Sequence, residues 1–476
     1  MYKYIWTIVL LISCVAKENK LQNKIEENPN IILIMTDDQG WGDAGFNGNT
    51  EIKTPNLDYL ASNGIIFDRF YSASAVCSPT RASLITGRNP YRMGIPTANK
   101  GHMKVEEITI AELLKDKGYA TGHFGKWHLG TLTKTSKDAN RGGPGNSEHF
   151  SIPTMHGYDH FFCTESKVPT YDPMIYPSQF DEGESKRYGW KAIKDKSKVE
   201  QFGTSYWKGE EEKDTINLQG DDSRIIMDRV IPFIENSTKE GKPFFTTIWI
   251  HAPHLPVVSN ETHRELYSSM DLKKQIYYGT ITAMDEQIGR LWDKLKEQGI
   301  DDNTMIWFCS DNGPENKTPG SAGIFRERKR SLYEGGVRVP AFVYWKNQFD
   351  KKTRMDFPAV TSDYLPTILD ILKIDDYPGD RPIDGESLLP LLNGTKNKRE
   401  KPIGFLYAKK MSWVNNQYKL ISTNKGETFE LYDLINDRGE KKQYISQHPE
   451  VAEKMKKELN NWLESVQNSE NEADYD

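Results

Sequence analysis

Asp37-Asp38, followed by Gln39-Gly40, and Asp311-Asn312, followed by Gly313, are the residues of this 476-residue chain best suited to hold a metal ion. Either pair alone reads as an ordinary loop or tight turn. Each pair, however, ends an apolar run, and if the two runs are strands of one sheet the four side chains converge as an all-oxygen set. Such a set selects a hard cation, Ca²⁺ or Mg²⁺, and excludes a thiolate-type zinc site. His251 and His254, in HAPHLP, follow a third apolar run, and Lys126 and His128, in GKWHLG, follow a shorter one. One histidine at a strand end is usually structural. Two histidine-bearing strand ends, one beside a lysine, describe an acid and a base next to an anion site. Lys329 lies in the basic run Arg326 to Arg330, a solvated face if taken alone, but Gly335-Gly336 just beyond it suggest a tight turn that brings the run near something.

The elements that must position these residues are legible as alternating patterns. NIILIMT (Asn30 to Thr36), PFFTTIWI (Pro243 to Ile250) and TMIWFCS (Thr304 to Ser310) are continuous apolar stretches, the pattern of strands buried on both faces. Between them, apolar residues recur at helical spacing in Asn56 to Asn63, Thr109 to Lys117, Asp221 to Glu235 and Lys273 to Gln298. This order predicts an α/β fold with a large, mostly parallel central sheet flanked by helices, which places its ligands beyond the carboxyl ends of the strands. From Thr131 to Leu218 no period is clear, which reads as a binding-loop region. Past Gly394 the stretches GFLYA, YKLIST and FELYDL predict a small C-terminal domain with a short antiparallel sheet, followed by a helix from about Pro449 to Val466 and a disordered acidic tail.

A hydrophobic content of 37%, with 11 Trp, 23 Tyr and 19 Phe, excludes a disordered chain, and a formal net charge of -6 provides no basic field for nucleic acid. The N-terminus carries Lys3, an apolar run from Ile5 to Ile12 that is too short to span a bilayer, and then Ser13-Cys14. Leu11-Ile12-Ser13-Cys14 resembles a bacterial lipobox, which implies export and a lipid anchor on Cys14. The resulting division is a signal peptide (1–13), a tether (14–29), a catalytic domain (30–394), the small domain (395–466) and the tail (467–476). Asn236, Asn260, Asn316 and Asn393 open N-x-S/T triplets that a bacterial lipoprotein would leave bare. Cys163 and Cys309 sit in apolar surroundings and read as packed thiols. Cys77, among Ser, Ala, Thr and Pro, sits in no apolar run.

Cys77-Ser78-Pro79-Thr80-Arg81, with Leu84, Thr86, Gly87 and Arg88, resembles the C-x-P-x-R signature of the formylglycine-dependent sulfatases, within the alkaline phosphatase superfamily. Asp37-Asp38, GKWHLG, HAPHLP, SDNG, KRSLYEGGVRVP and ELYDLINDRGE resemble other blocks of that family in the same order, over about Ile31 to Gln443. The resemblance implies an alkaline phosphatase-like sandwich and a sulfuric ester hydrolase in which Cys77 is oxidised to formylglycine by a maturing enzyme. A hydrated aldehyde has two hydroxyls: one attacks sulfur, and loss of the other's proton expels sulfate as the carbonyl reforms. By the same resemblance, Asp37, Asp38, Asp311 and Asn312 bind one Ca²⁺ that also contacts residue 77. Lys126 and Lys329 clamp sulfate, Arg81 orients the nucleophile, His254 protonates the leaving group and His128 assists elimination. His251, Arg326 and Arg328 are candidates for substrate contact.

The expected substrate is a sulfated oligo- or polysaccharide, met in the periplasm or at the cell surface. Two alternatives stand beside it. One is a phosphodiester or phosphonate monoester hydrolase of the same superfamily; the other is a non-catalytic lipoprotein that binds sulfated glycan. Ligands for a single metal disfavour a two-metal phosphatase design, and a binder has no use for a proton donor at His254.

Overall fold

The computed structural model describes residues 28–475 apart from 177–178, 181–187, 192–199, 347, 350–352, 376 and 378–380. The expected signal peptide and Cys14 lie outside the described residues.

Ten strands form one sheet: β1 (Asn30–Thr36), β2 (Ile65–Phe67), β3 (Ala120–Lys126), β4 (His160–Thr164), β5 (Tyr206–Gly209), β6 (Glu212–Asp214), β7 (Phe244–Trp249), β8 (Thr304–Ser310), β9 (Ala341–Trp345) and β10 (Thr353–Met355). Their spatial order is β10-β2-β9-β8-β1-β7-β3-β4-β5-β6. The five central strands, β8 to β4, are parallel throughout, while β9 and β5 join antiparallel, so the sheet is mixed toward its edges. The period of two along β1 sends Ile31, Leu33 and Met35 into one core and Ile32 and Ile34 into the other. Burial of each such side chain contributes about 1.5–3 kcal/mol, which is why the run is apolar without a break from Ile31 to Met35.

Helices cover both faces. α1 (Pro55–Ser62), α4 (Asp222–Lys239) and α5 (Leu272–Glu297) pack on one side, and α2 (Cys77–Thr86), α3 (Ile110–Asp116) and α6 (Tyr364–Leu372) on the other. Asp221 and Asp271 accept hydrogen bonds from the backbone N–H groups of Arg224 and Lys274 and so cap α4 and α5. Cys163 and Cys309 are buried free thiols, as their surroundings predict.

The segment Thr131 to Leu218 is more than loop, since it supplies β4, β5 and β6 to one side of the sheet. The hairpin of β5 and β6 turns at Glu211 (φ +53°) and carries Lys208, Glu212 and Lys213 at the sheet edge. Edge strands of this kind are charged, which blocks pairing with other chains and hides the strand from a hydrophobicity pattern.

The C-terminal sheet consists of β11 (Ile403–Tyr407), β12 (Lys410–Val414), β13 (Tyr418–Ser422) and β14 (Glu430–Asp433), antiparallel in sequence order. Phe405, Val414, Ile421 and Tyr432 pack toward the large domain, while Trp413, Leu420 and Leu431 meet α7 (Pro449–Glu470). α7 continues past Val466, and the expectation of a disordered tail is overturned: Asp474 forms an ion pair with buried Arg88, and the Tyr475 hydroxyl donates to Glu107. A buried guanidinium needs anionic partners, and here the acidic tail is one of them.

Candidate active site

The strand register brings the distant carboxylates together. β1 and β8 pair Met35 with Cys309 and Thr36 with Ser310, so Asp37 and Asp311 leave adjacent strand ends side by side. The next residues turn back on each other. Asp38, at φ +64°, donates its N–H to Asp311 Oδ1 (3.1 Å), and Asn312 Nδ2 donates to Asp38 Oδ1 (2.7 Å). β7 and β3 continue the same row with His251 and Lys126, and Lys126 Nζ reaches Asp37 Oδ2 at 2.6 Å. Lys329 forms a buried ion pair with Asp38 Oδ1.

Asp37 Oδ1, Asp38 Oδ2 and Asn312 Oδ1 are buried with no hydrogen-bond partner. Leaving such atoms unsatisfied costs about 1–3 kcal/mol each. Oxygens from three side chains left open in one place fit a hard cation. Ligand atoms of Asp37, Cys77 and Asp311 lie within 4.8 Å of one another, as do those of Asp37, Asp38 and His254.

Cys77 is the first residue of α2, so the positive end of that helix lies at its side chain. Burial pushes the Cys77 thiol pKa up, with Lys126 and Lys329 opposing. An unmodified Cys77 therefore stays a thiol at neutral pH and is a poor nucleophile. Arg81 lies one turn further along α2, fully buried. Its Nη2 donates to Asp311 Oδ2 (2.7 Å) and approaches Asp37 Oδ2 (3.4 Å), while Nη1 donates to the Lys126 carbonyl.

A cavity of about 770 Å³ opens over this set, and Cys77, Lys126, His128, His254 and Lys329 are in its wall. His254 Nδ1 lies 2.5 Å from the Leu255 carbonyl, which only accepts, so Nδ1 carries the proton; Nε2 lies 3.6 Å from Asp38 Oδ2. Burial lowers the His254 pKa to about 4, with Asp37 and Asp38 opposing. Burial, then Lys126, Arg141 and Arg81, hold His128 well below the usual histidine range. Burial works to raise the Asp37 pKa, but Lys126, His254, Arg81 and Lys329 outweigh it and keep the carboxylate well below its ordinary value. Asp311 is pushed up to about 7 by burial and by Asp37, with Arg81 opposing.

The structure brings Asp37, Asp38, Cys77, Arg81, Lys126, His128, His254, Asp311, Asn312 and Lys329 into one locus. It does not place His251, Arg326 or Arg328 in the cavity wall. His251 is fully buried, with Nδ1 at Asp222 Oδ2 (2.8 Å) and Nε2 at Thr164 Oγ1 (2.7 Å). No nitrogen is left for a substrate. Arg326 bonds the Tyr432 hydroxyl and lies over the Tyr333 ring, and Arg328 donates to the carbonyls of Glu315, Thr318 and Gly320. The turn at Gly335-Gly336 is a close approach of backbone: a Cβ on Gly335 would lie 2.1 Å from the Glu327 carbonyl oxygen. From the basic run it is Lys329 and Arg330 that reach the cavity. Asn99, Asn140, Ser166 and Tyr407 also line it, and none of them carries a local signal in the sequence.

Parallel strand ends that gather open oxygen donors, two lysines and a helix-borne cysteine define a hydrolase for anionic esters. The chain belongs to the sulfatase family, whose sequence pattern residues 29–374 match; residues 320–468 match the C-terminal region of N-sulphoglucosamine sulphohydrolase. Sulfatases are sulfuric ester hydrolases, and that is the class of this enzyme. It is 32% identical over 394 residues to N-acetylgalactosamine-6-sulfatase of Sus scrofa, a match covering 78% of this chain and 67% of the pig enzyme. The crystal structure of Ps i-CgsB in complex with k-i-k-neocarrahexaose superposes with a TM-score of 0.77 at 26% identity, covering 92% of this chain and 93% of that one. A Bacteroides thetaiotaomicron structure described with the metabolism of multiple glycosaminoglycans gives 0.72 at 25% identity, covering 92% and 99%. Among the described residues no helix is long and apolar enough to cross a membrane.

Proposed function

We propose that this enzyme removes sulfate from a sulfated carbohydrate, with formylglycine made from Cys77 as its nucleophile and one Ca²⁺ held by Asp37, Asp38, Asp311 and Asn312. The observation that carries the reading is the set of three unpartnered oxygens beside the Cys77 end of α2, with Lys126 and Lys329 in the same cavity wall. The carbohydrate is supported by the oligosaccharide bound to Ps i-CgsB, by the name of the pig relative, and by a cavity larger than sulfate alone requires.

When bound, the cation supplies charge neutralisation, and the hydrated aldehyde supplies an attacking hydroxyl and a second hydroxyl whose deprotonation releases sulfate. The remaining work belongs to this chain's own side chains. Lys126 and Lys329 neutralise sulfate oxygens, and their ion pairs with Asp37 and Asp38 hold the ammonium groups in place. Arg81 fixes Asp311 and Asp37 from beneath. His254 serves as donor to the departing sugar oxygen in its imidazolium form, which keeps Nδ1–H on the Leu255 carbonyl and gives up the Nε2 proton, and His128 accepts a proton during release.

Cys77 is buried in the folded protein, which favours a maturing enzyme that acts before folding. We place this protein outside the cytoplasm, exported and anchored through Cys14, with a catalytic domain over 30–394 and a small domain from 395 onward. The test is the mass of the Cys77 peptide from native protein, which conversion lowers by roughly 18 Da, together with sulfate release from a panel of defined sulfated oligosaccharides. Full conversion with release from a sugar supports the reading; an unmodified, inactive native protein refutes it.

A further inference from the structure

His128 enters the cavity with one ring nitrogen already engaged. Its Nε2 lies 2.9 Å from Asn99 Oδ1, whereas Nδ1 is buried with no partner. Asn99 Oδ1 also accepts from Asn140 Nδ2 (3.1 Å), and Asn140 Nδ2 reaches Ser166 Oγ (3.0 Å). Two further bonds anchor this chain: the Asn140 N–H donates to Glu165 Oε2 (3.0 Å), and Thr164 Oγ1 donates to the Ser166 carbonyl (2.6 Å). Thr164 is the residue that meets His251, so the buried histidine supports the cavity histidine through β4 and the residues after it. Asn99 (φ +69°) and His128 (φ +58°) both adopt left-handed backbone, a conformation that persists only where surrounding contacts impose it.

We propose that Asn99, steadied by Asn140, is a positioning residue that holds His128 as the Nε2–H tautomer, so that the unpartnered Nδ1 keeps its lone pair and is the nitrogen left to accept a proton. The inference rests on the reading of His128 as the base that assists sulfate release. A neutral imidazole offers one N–H and one lone pair, and whichever group Asn99 presents decides which nitrogen keeps the proton. With Asn99 Oδ1 accepting from both His128 and Asn140, the network is satisfied. The reverse polarity turns both amides over and leaves an unpaired N–H at Nδ1. The charges acting on His128 include Lys126, Arg141 and Arg81. In the step itself, an O–H bond of a hydroxyl in the cavity breaks, Nδ1 takes the proton, and the new imidazolium keeps its Nε2–H on Asn99.

The tautomer is read directly from ¹⁵N chemical shifts of histidine-labelled protein, with His128→Gln used to assign the signal. A proton-bearing Nε2 and a bare Nδ1 are expected; a neutral ring protonated on Nδ1 overturns the proposal. Asn99→Gly preserves the left-handed backbone and deletes the acceptor, and should lower kcat on the order of 10²-fold with KM within about twofold and the melting transition unchanged. Asn99→Asp, which can only accept, should keep kcat within about tenfold. Equal losses in the two variants, or no loss in Asn99→Gly, also overturn it. Should His128→Gln retain full turnover, the base assignment fails on its own, and the shifts still judge the tautomer separately.

Discussion

Buried charges gather on both sides of the segment Lys329 to Glu334, and the two groups are finished in opposite ways. At the joint with the small domain, Glu334 Oε1 accepts from Lys419 (3.0 Å), and Oε2 accepts from Arg338 (3.1 Å) and the Tyr71 hydroxyl (3.0 Å). Glu440 closes the set: its Oε2 accepts the Glu334 N–H (2.7 Å), and its Oε1 lies 2.9 Å from Lys419 Nζ. The Arg338 guanidinium is covered by the Phe325 ring at 4.2 Å. At the strand ends, by contrast, three oxygens of Asp37, Asp38 and Asn312 have no partner, and Lys126 and Lys329 border open space. Burial is equally complete in both. What separates the two is therefore not burial of charge but how it is met: at the joint the carboxylates meet Lys419 and Arg338, with Glu440 Oε1 and Arg338 Nη2 left without a hydrogen bond, whereas at the strand ends the unpartnered atoms are three oxygens gathered beside a cavity.

Substitutions on the two sides should separate function from stability. Cys77→Ala should lower sulfate release by at least about 10³-fold without shifting the melting temperature. Glu334→Gln should do the reverse, since it leaves Arg338 in the interior without its carboxylate and Lys419 with Glu440 alone, at a cost of about 3–5 kcal/mol. Its melting temperature should drop by several degrees while the folded fraction retains turnover. Calorimetry and free-sulfate assays on both variants check this, and a Glu334→Gln protein that melts normally but is inactive would break the distinction.

Chelation probes only the open cluster. Removal of divalent cations should abolish turnover, and Ca²⁺ should restore it better than Zn²⁺. Added Ca²⁺ should raise stability by about 2.7 kcal/mol at a hundredfold excess over its Kd, read as a rise in Tm. Asp38→Asn should weaken that response, and Glu440→Gln should leave it unchanged.

His254→Ala should depend on the leaving group. An alkoxide needs protonation and a nitrophenolate does not, so we expect a loss of about 10²-fold or more on a sulfated sugar and a loss below about tenfold on nitrophenyl sulfate. Equal losses on the two substrates would move His254 from proton donor to sulfate binding.

The smallest effect is expected from pH acting on the closed cluster. Burial raises the Glu440 pKa from its ordinary value of 4.5 to about 7, with Lys419 opposing and Glu334 adding to the rise. Between those values the folded state holds a proton that the unfolded chain has lost. The contribution is thus fully present below pH 4.5 and is lost as pH rises through about 7. Glu440→Gln should flatten that part of the pH dependence of Tm without affecting the Ca²⁺ response.

Most of the strand-end chemistry was legible because it is local. NIILIMT followed by Asp37-Asp38 and TMIWFCS followed by Asp311-Asn312 state in consecutive residues that a buried strand ends in oxygen donors. Cys77 and Arg81 are one helical turn apart and so share a face of α2. Other assignments failed for an equally physical reason. His251 and His254 look alike in HAPHLP, yet one closes on Asp222, 29 residues away, and the other faces the cavity. Of the basic run, Arg328 is consumed by nearby carbonyls and Arg330 reaches the cavity.

Residue identity and short-range spacing alone determined the α/β order, the oxygen donors at two strand ends and the histidines and lysine at two others, because each is expressed within a few consecutive residues, while the role of Cys77 was legible only through the family resemblance. Tertiary structure alone decided which His128 nitrogen is hydrogen-bonded to Asn99, that Asn99 and Tyr407 share its cavity, that Thr131 to Leu218 extends the sheet, and that the acidic tail docks on Arg88. Each of these depends on contacts between segments remote in sequence, such as Asp474 with Arg88 across 386 residues. The free energy of such a contact is set by what surrounds it after folding, and no local pattern records that.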